Sequence, residues 1–340
     1  MLLTFHDALR DAQRYNRRHA LLGNGFSIAC RPDIFAYGKL YEQADFTKIS
    51  PTARLAFGAL GTQDFEKVIK ALGDAKKILA AYGGPAHLVA ALESDASGLR
   101  ELLVETIAAS HPSWPGELSE DEYSACRKFL SNFDRVYTFN YDLLLYWVQM
   151  HTEETGVVLS TDDGFRASQD DFDASYVVWE PDQSFDQNTW FLHGALHVFD
   201  SGTEVQKYTW SKTGVRLIDQ IRDALTRNYF PLFVSEGTSA EKYERIRHSD
   251  YLAKAYRSFS EIQGAVFIFG HSLAENDDHY LKRLQRGKVS HLYIALHGDP
   301  DSDGNKFIKR RAEQLANGRR GRKPLSLAYF DAASAKVWGK

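Results

Sequence analysis

The feature that most constrains this chain is the stretch 265–269, where Ala265, Val266, Phe267, Ile268 and Phe269 run without a polar residue into Gly270. A strand with no polar face must be covered on both sides, as inside a parallel sheet. Largely apolar stretches at 20–22, 136–139, 190–192, 231–234, 291–296 and 325–330 read as further strands. Between many of them lie segments of helical periodicity, at 141–150, 239–248, 251–262, 276–284 and 305–316. Strands alternating with helices imply an α/β fold, a Rossmann-like parallel sheet with helices on both faces.

One long segment breaks the alternation. Residues 64–134 contain helices and no convincing strand. Asp64 suits a cap for a helix whose Phe65, Val68, Ile69 and Leu72 share a face. Ser119 and Glu122 have capping-box spacing before Tyr123, Cys126, Phe129 and Leu130. Pro112, Pro115 and Gly116 mark a loop between them. We therefore expect one domain over 1–340 with a helical insert at 64–134. Thr4 and Asp7 should cap a first helix, and 156–188 reads as loops with room for a hairpin.

Composition excludes several classes. No apolar run approaches the ~20 residues of a membrane span, and no basic segment precedes an apolar one at the start. A cytoplasmic protein is the expectation. A net charge of −4 does not advertise nucleic-acid binding. Cys30 and Cys126, the two cysteines, cannot form a C-x-x-C pair, so no zinc ribbon is expected. Lys309, Arg310, Arg311, Arg319, Arg320, Arg322 and Lys323 form a basic stretch. It reads as a solvated face, or alternatively as a patch for nucleic acid or an acidic partner.

Four short polar stretches stand at the carboxyl ends of expected strands, where open α/β sheets bind ligands. The first, Gly23-Asn24-Gly25-Phe26-Ser27, lacks the third glycine of a dinucleotide fingerprint and has Ile28 there. It is a tight strand-to-helix turn or a phosphate loop. The second is Thr138-Phe139-Asn140-Tyr141-Asp142; Asn140 is either a helix cap or an amide held for a ribose or a water. The third is His193-Gly194, a satisfied core histidine or a general base. His197 follows, but a turn and a strand there would not give metal-ligand spacing on a helix, so His197 reads as structural. In the fourth, Gly270-His271-Ser272, backbone N–H groups and a hydroxyl suit a phosphate or ribose. Asn276 would cap the next helix, with Asp277 and Asp278 in its first turn.

Together and in this order, G-N-G-F-S, T-F-N-Y-D, H-G and G-H-S resemble the NAD-binding core of the sirtuin family. The spelling is closer to the sirtuin-like NAD hydrolases of bacterial defence systems than to the protein deacetylases. The resemblance runs from Leu21 to about Asp299. It implies a sirtuin-like fold, NAD as substrate, and cleavage to nicotinamide and ADP-ribose in a defence that depletes NAD. It implies Asn140 and His193 as catalytic residues. Gly23, Asn24, Gly25, Phe26, Ser27, Tyr141, Asp142, Gly270, Ser272 and Asn276 would bind the nucleotide. Asp299, after the strand 291–296, would favour NAD over NADP by accepting a ribose hydroxyl. A homo-oligomer or a trigger protein would control the activity.

The departures from the deacetylases are the absent four-cysteine zinc module, a cofactor-loop acidic-proline stretch echoed only by Arg31-Pro32-Asp33, and an unmatched segment after 231–234. All three weaken deacylation. Deacylation or ADP-ribosyl transfer, and a nucleotide-sensing module without turnover, are the rival readings.

Overall fold

A computed structural model describes all residues except 1, 152–156, 172, 228, 235–237, 320–322 and 340. In chain order the strands are β1 (Arg18–Leu22), β2 (Arg135–Thr138), β3 (Phe165–Ala167), β4 (Tyr176–Trp179), β5 (Thr189–Phe191), β6 (Val198–Asp200), β7 (Val205–Tyr208), β8 (Gln263–Phe269), β9 (Lys288–Leu296) and β10 (Ser326–Asp331). A parallel sheet runs β10-β9-β8-β1-β2-β5. The general architecture is thus Rossmann-like. The strand order reverses between β1 and β8, the topological switch point where such sheets bind ligands.

Register aligns the ends of the central strands. Leu22 pairs with both Thr138 and Phe269, and Thr138 pairs with Phe191. All four polar stretches therefore lie at or just beyond one row of paired residues. That row is what converts four separate motifs into neighbours.

Helices cover both faces, as a sheet apolar on both sides requires. On one face Phe5 and Phe133 pack on Phe267, and Phe129 packs on Phe269. Thr4 caps the helix Phe5–Ala12, and a complete Ser119–Glu122 capping box starts Glu120–Leu130. On the other face Phe259, from the helix Asp250–Ser260, meets Tyr137 edge-on at 5.1 Å. Full burial of each such ring contributes ~1.5–3 kcal/mol relative to exposure.

Between β1 and β2 the chain forms helices joined by short loops, with no strand. The expected helices appear as Phe65–Ala81, Ala86–Ser110 and Glu120–Leu130, with Asp64 capping the first. Helical structure also fills 25–60, starting at Gly25–Cys30. Cys30 and Cys126 are both buried, and no disulfide joins them.

One reading needs correction. The stretch 231–234 is not a strand; it makes an isolated antiparallel bridge from Phe233 to Gly194. It runs against the turn after β5 instead of joining the parallel sheet, with Leu232 N–H on the Val198 carbonyl. The hairpin for which 156–188 left room forms as β3 and β4, and it joins β7 and β6 in a separate antiparallel sheet, β3-β4-β7-β6.

The basic stretch is partly structural. Arg311 is buried, binding Asp278 at 2.5 Å and the Leu273 carbonyl at 3.0 Å. Arg319 holds the carbonyls of Leu284, Gln285 and Val289. Arg320 and Arg322 lie outside the described residues. Among the described residues no helix is long and apolar enough to cross a membrane.

Candidate functional site

The glycine loops at the switch point hold each other. Gly23 N–H bonds the Phe269 carbonyl at 2.9 Å and Gly25 N–H the Gly270 carbonyl at 2.8 Å. A Cβ on Gly25 would lie 2.5 Å from Gly270 Cα. These glycines thus permit close packing of two loops, and their two N–H groups are already engaged. Asn24 donates to the Phe35 carbonyl, and Phe26 is core, packed on Trp338. Ser272 is exposed, and Leu273 beside it takes a left-handed φ of 57°. Such a conformation is strained for a branched side chain.

Asn140 does not cap a helix; the next one is Leu144–Met150. Its amide donates to Ser27 Oγ at 2.8 Å, and Ser27 donates to Asp142 Oδ2 at 2.5 Å. Asp142 Oδ1 accepts the Leu144 N–H at 2.9 Å. Burial raises the Asp142 carboxyl, opposed by the Ser27 hydroxyl and the Leu144 N–H. Ser27, Asn140 and Asp142 thus form one buried chain between the first two stretches.

The Phe139 ring joins this chain to a second cluster, lying 4.6 Å from the His193 ring and 4.8 Å from the His271 ring. His193 follows β5 at a turn that requires glycine. Gly194 has φ 81°, and a Cβ there would lie 1.8 Å from the Leu232 carbonyl oxygen. Val234 N–H grips the His193 carbonyl at 2.8 Å.

His193 Nε2 sits 3.4 Å from His279 Nε2 and 3.7 Å from Asp277 Oδ1. Asp277 is the hub. The Lys242 ammonium, 1% exposed, lies 3.0 Å from its Oδ1. His271 Nε2 lies 3.0 Å from its Oδ2, while His271 Nδ1 accepts the Leu273 N–H. That pairing makes Nε2 the protonated nitrogen. Lys242 also reaches Glu66 Oε2 at 3.7 Å. Glu66 accepts from the Asn276 amide at 3.4 Å and lies 3.3 Å from the Tyr141 hydroxyl. Asn276 therefore binds a carboxylate instead of capping a helix, and its Oδ1 is buried without a hydrogen-bond partner.

Electrostatics keep two of the imidazoles neutral. Burial, reinforced by the Lys242 ammonium, holds His193 well below the usual imidazole range. Burial lowers His279 to about 4. Burial alone would raise Asp277, but Lys242, then His271 and His193, hold it well below the usual carboxylate range. Glu66 moves the other way: burial raises it to about 7 against the pull of Lys242.

Sequence reasoning missed Glu66, Lys242, His279 and the central role of Asp277. Asp299 is exposed and closes a local turn by accepting the Asp301 N–H at 2.9 Å. His197 is buried against Tyr146 and Phe191, with neither ring nitrogen hydrogen-bonded.

Fold and site define a parallel α/β protein whose polar cluster occupies the sheet edge where nucleotides commonly bind. Residues 20–338 match the family described as a domain of unknown function, DUF4917. The chain belongs to that family. Curated proteins give no significant match.

Proposed function

We propose that this protein is an NAD glycohydrolase, releasing nicotinamide and ADP-ribose. The observation that carries the reading is a buried uncharged amide and a buried imidazole at the same carboxyl edge of the sheet, just past β2 and β5. Asn140 directly follows Phe139, whose ring lies against His193. Cleavage of the nicotinamide–ribose bond sends its electron pair to the pyridinium nitrogen, so nicotinamide leaves neutral and needs no general acid. Positive charge develops on the ribose, as in other glycosyl transfers. Asn140 orients the ribose and the attacking water without adding charge. Water bonds to the ribose carbon, and His193 takes its proton.

His193 is 2% exposed, so substrate entry requires a covering segment to move. Glu66 stands in the first turn of the helix Phe65–Ala81 and reaches Lys242, Tyr141 and Asn276. Lys77 on that helix pairs with Glu241 on Ser239–Arg247. These contacts make the helix the natural gate. The sirtuin-like resemblance adds NAD depletion in bacterial defence, under control of a trigger protein or an oligomer.

The test is nicotinamide release from NAD with no acceptor present, over a wide range of protein concentration. Loss of a general base typically costs ~10²–10⁴-fold in rate. Asn140→Ala and His193→Ala should each lose activity on that scale while remaining folded; His197→Ala should not. Wild-type turnover by His193→Ala refutes the mechanism. Tight NAD binding without release would identify a nucleotide-sensing module instead.

A further inference from the structure

We propose that His193, Asp277 and His279 form a binding site for a divalent first-row transition-metal ion of the zinc class. No zinc was expected from the sequence, because two distant cysteines and scattered histidines do not supply four close ligands. The structure brings one ligand atom from each within 4.8 Å of the others, and all three residues are buried.

The separations suit an ion. Zinc bonds of ~2.0–2.1 Å in tetrahedral geometry place ligand atoms roughly 3.4 Å apart. The two Nε2 atoms are 3.4 Å apart, and His193 Nε2 is 3.7 Å from Asp277 Oδ1. Nitrogen ligands favour a transition ion over calcium or magnesium.

The surroundings orient these atoms as metal ligands are oriented. Ser239 Oγ lies 3.3 Å from His279 Nδ1, so a proton on Nδ1 turns the Nε2 lone pair toward His193. His271 donates to Asp277 Oδ2 and leaves Oδ1 facing the two imidazoles. Two neutral imidazoles presenting Nε2 to each other need one proton or one cation between them.

Lys242 is the resident cation, 3.0 Å from Asp277 Oδ1. An entering ion must displace it, and Glu66 at 3.7 Å offers the ammonium a second carboxylate. Lys242 therefore opposes the metal, which gives the proposal a sign that a merely structural cluster would lack. The ion occupies the His193 nitrogen; on the reading above, and resting on it, metal loading inhibits NAD cleavage.

The experiment titrates chelator-stripped full-length protein with Zn²⁺ against a chromophoric chelator, and with Co²⁺ by visible absorption. The expected result is one ion per chain with a tetrahedral Co²⁺ spectrum. Ser239→Ala should weaken binding by ~10–100-fold, as loss of an outer partner does, and His279→Ala by more. Lys242→Gln should tighten it, and His197→Ala should leave it unchanged. Absence of stoichiometric binding overturns the site, as does binding indifferent to His279→Ala in a protein with native circular dichroism. The wild-type titration and these two weakening variants decide the matter even if Lys242→Gln fails to fold. Nicotinamide release measured in parallel separates the two claims: activity without metal binding leaves the hydrolase reading intact and removes only the metal site.

Discussion

His111 should make the site loop acid-labile. It ends the helix Ala86–Ser110, between the edge-on rings of Phe35 and Trp147. Its Nδ1 lies 3.0 Å from the Pro112 carbonyl and its Nε2 accepts the Leu143 N–H at 3.0 Å. These partners require the neutral Nδ1–H tautomer; a proton on Nε2 would set two donors against each other. Burial lowers the group from 6.5 to about 4, with Arg222 acting in the same direction. The folded pKa is depressed, so the stabilising contribution is complete above pH 6.5 and is lost as pH falls toward 4. A shift of that size corresponds to about 3 kcal/mol by pH 4. His111→Leu keeps an apolar side chain but strands the buried Leu143 N–H, a cost of ~1–3 kcal/mol at pH 7. Other buried histidines titrate too, so the informative quantity is the difference between wild type and variant. Urea unfolding from pH 7 to 4 should show the variant less stable at pH 7 and the gap closing by about 3 kcal/mol. A gap constant across that range refutes the tautomer assignment and its link to the loop.

Two further outcomes are expected. Gly194→Ala forces a Cβ to 1.8 Å from the Leu232 oxygen at φ 81°, so urea unfolding should show a loss above ~2 kcal/mol; a near-neutral effect would mean that the turn holding His193 is soft. For Glu66, whose folded pKa is raised from 4.5 to about 7, the stabilising contribution is present below 4.5 and lost as pH rises through 7. The stability of wild type relative to Glu66→Gln should therefore fall between pH 5 and 8, and a flat difference would show that the carboxyl is not desolvated.

The fold was legible where local and global signals agree. The stretch 265–269 is apolar on both faces because β8 lies between β1 and β9 in a covered sheet. The caps at Thr4, Asp64 and Ser119 form where side chains alone suggest them. Beyond the β3–β4 hairpin the antiparallel sheet was not legible: its strands are three or four residues long, and β4 meets β7 across a segment that holds β5 and β6. Residues 231–234 misled for the opposite reason. Leu232, Phe233 and Val234 have strand composition, but their backbone is spent on the turn that carries His193.

At the site, the strand-end residues were readable because a parallel sheet puts all carboxyl ends on one edge. Lys242 and Glu66 were not, since a lysine within Ser239–Arg247 and a glutamate in a first turn look like ordinary helix-surface residues. Asp277 was assigned to helix capping, a local role; only tertiary contact shows it between Lys242 and three imidazoles. Removing such an ion pair from water is expensive, and apolar packing of similar volume often gives equal or greater stability. The pair does something apolar packing would not. Lys242 disfavours protonation of His193 and His279, while Asp277 opposes that effect at close range. Burial and the ammonium outweigh the carboxylate, and the imidazoles stay neutral beside a charged residue. A neutral imidazole is the form that accepts a proton or binds a metal, so the ion pair sustains the condition that both proposed activities of His193 require.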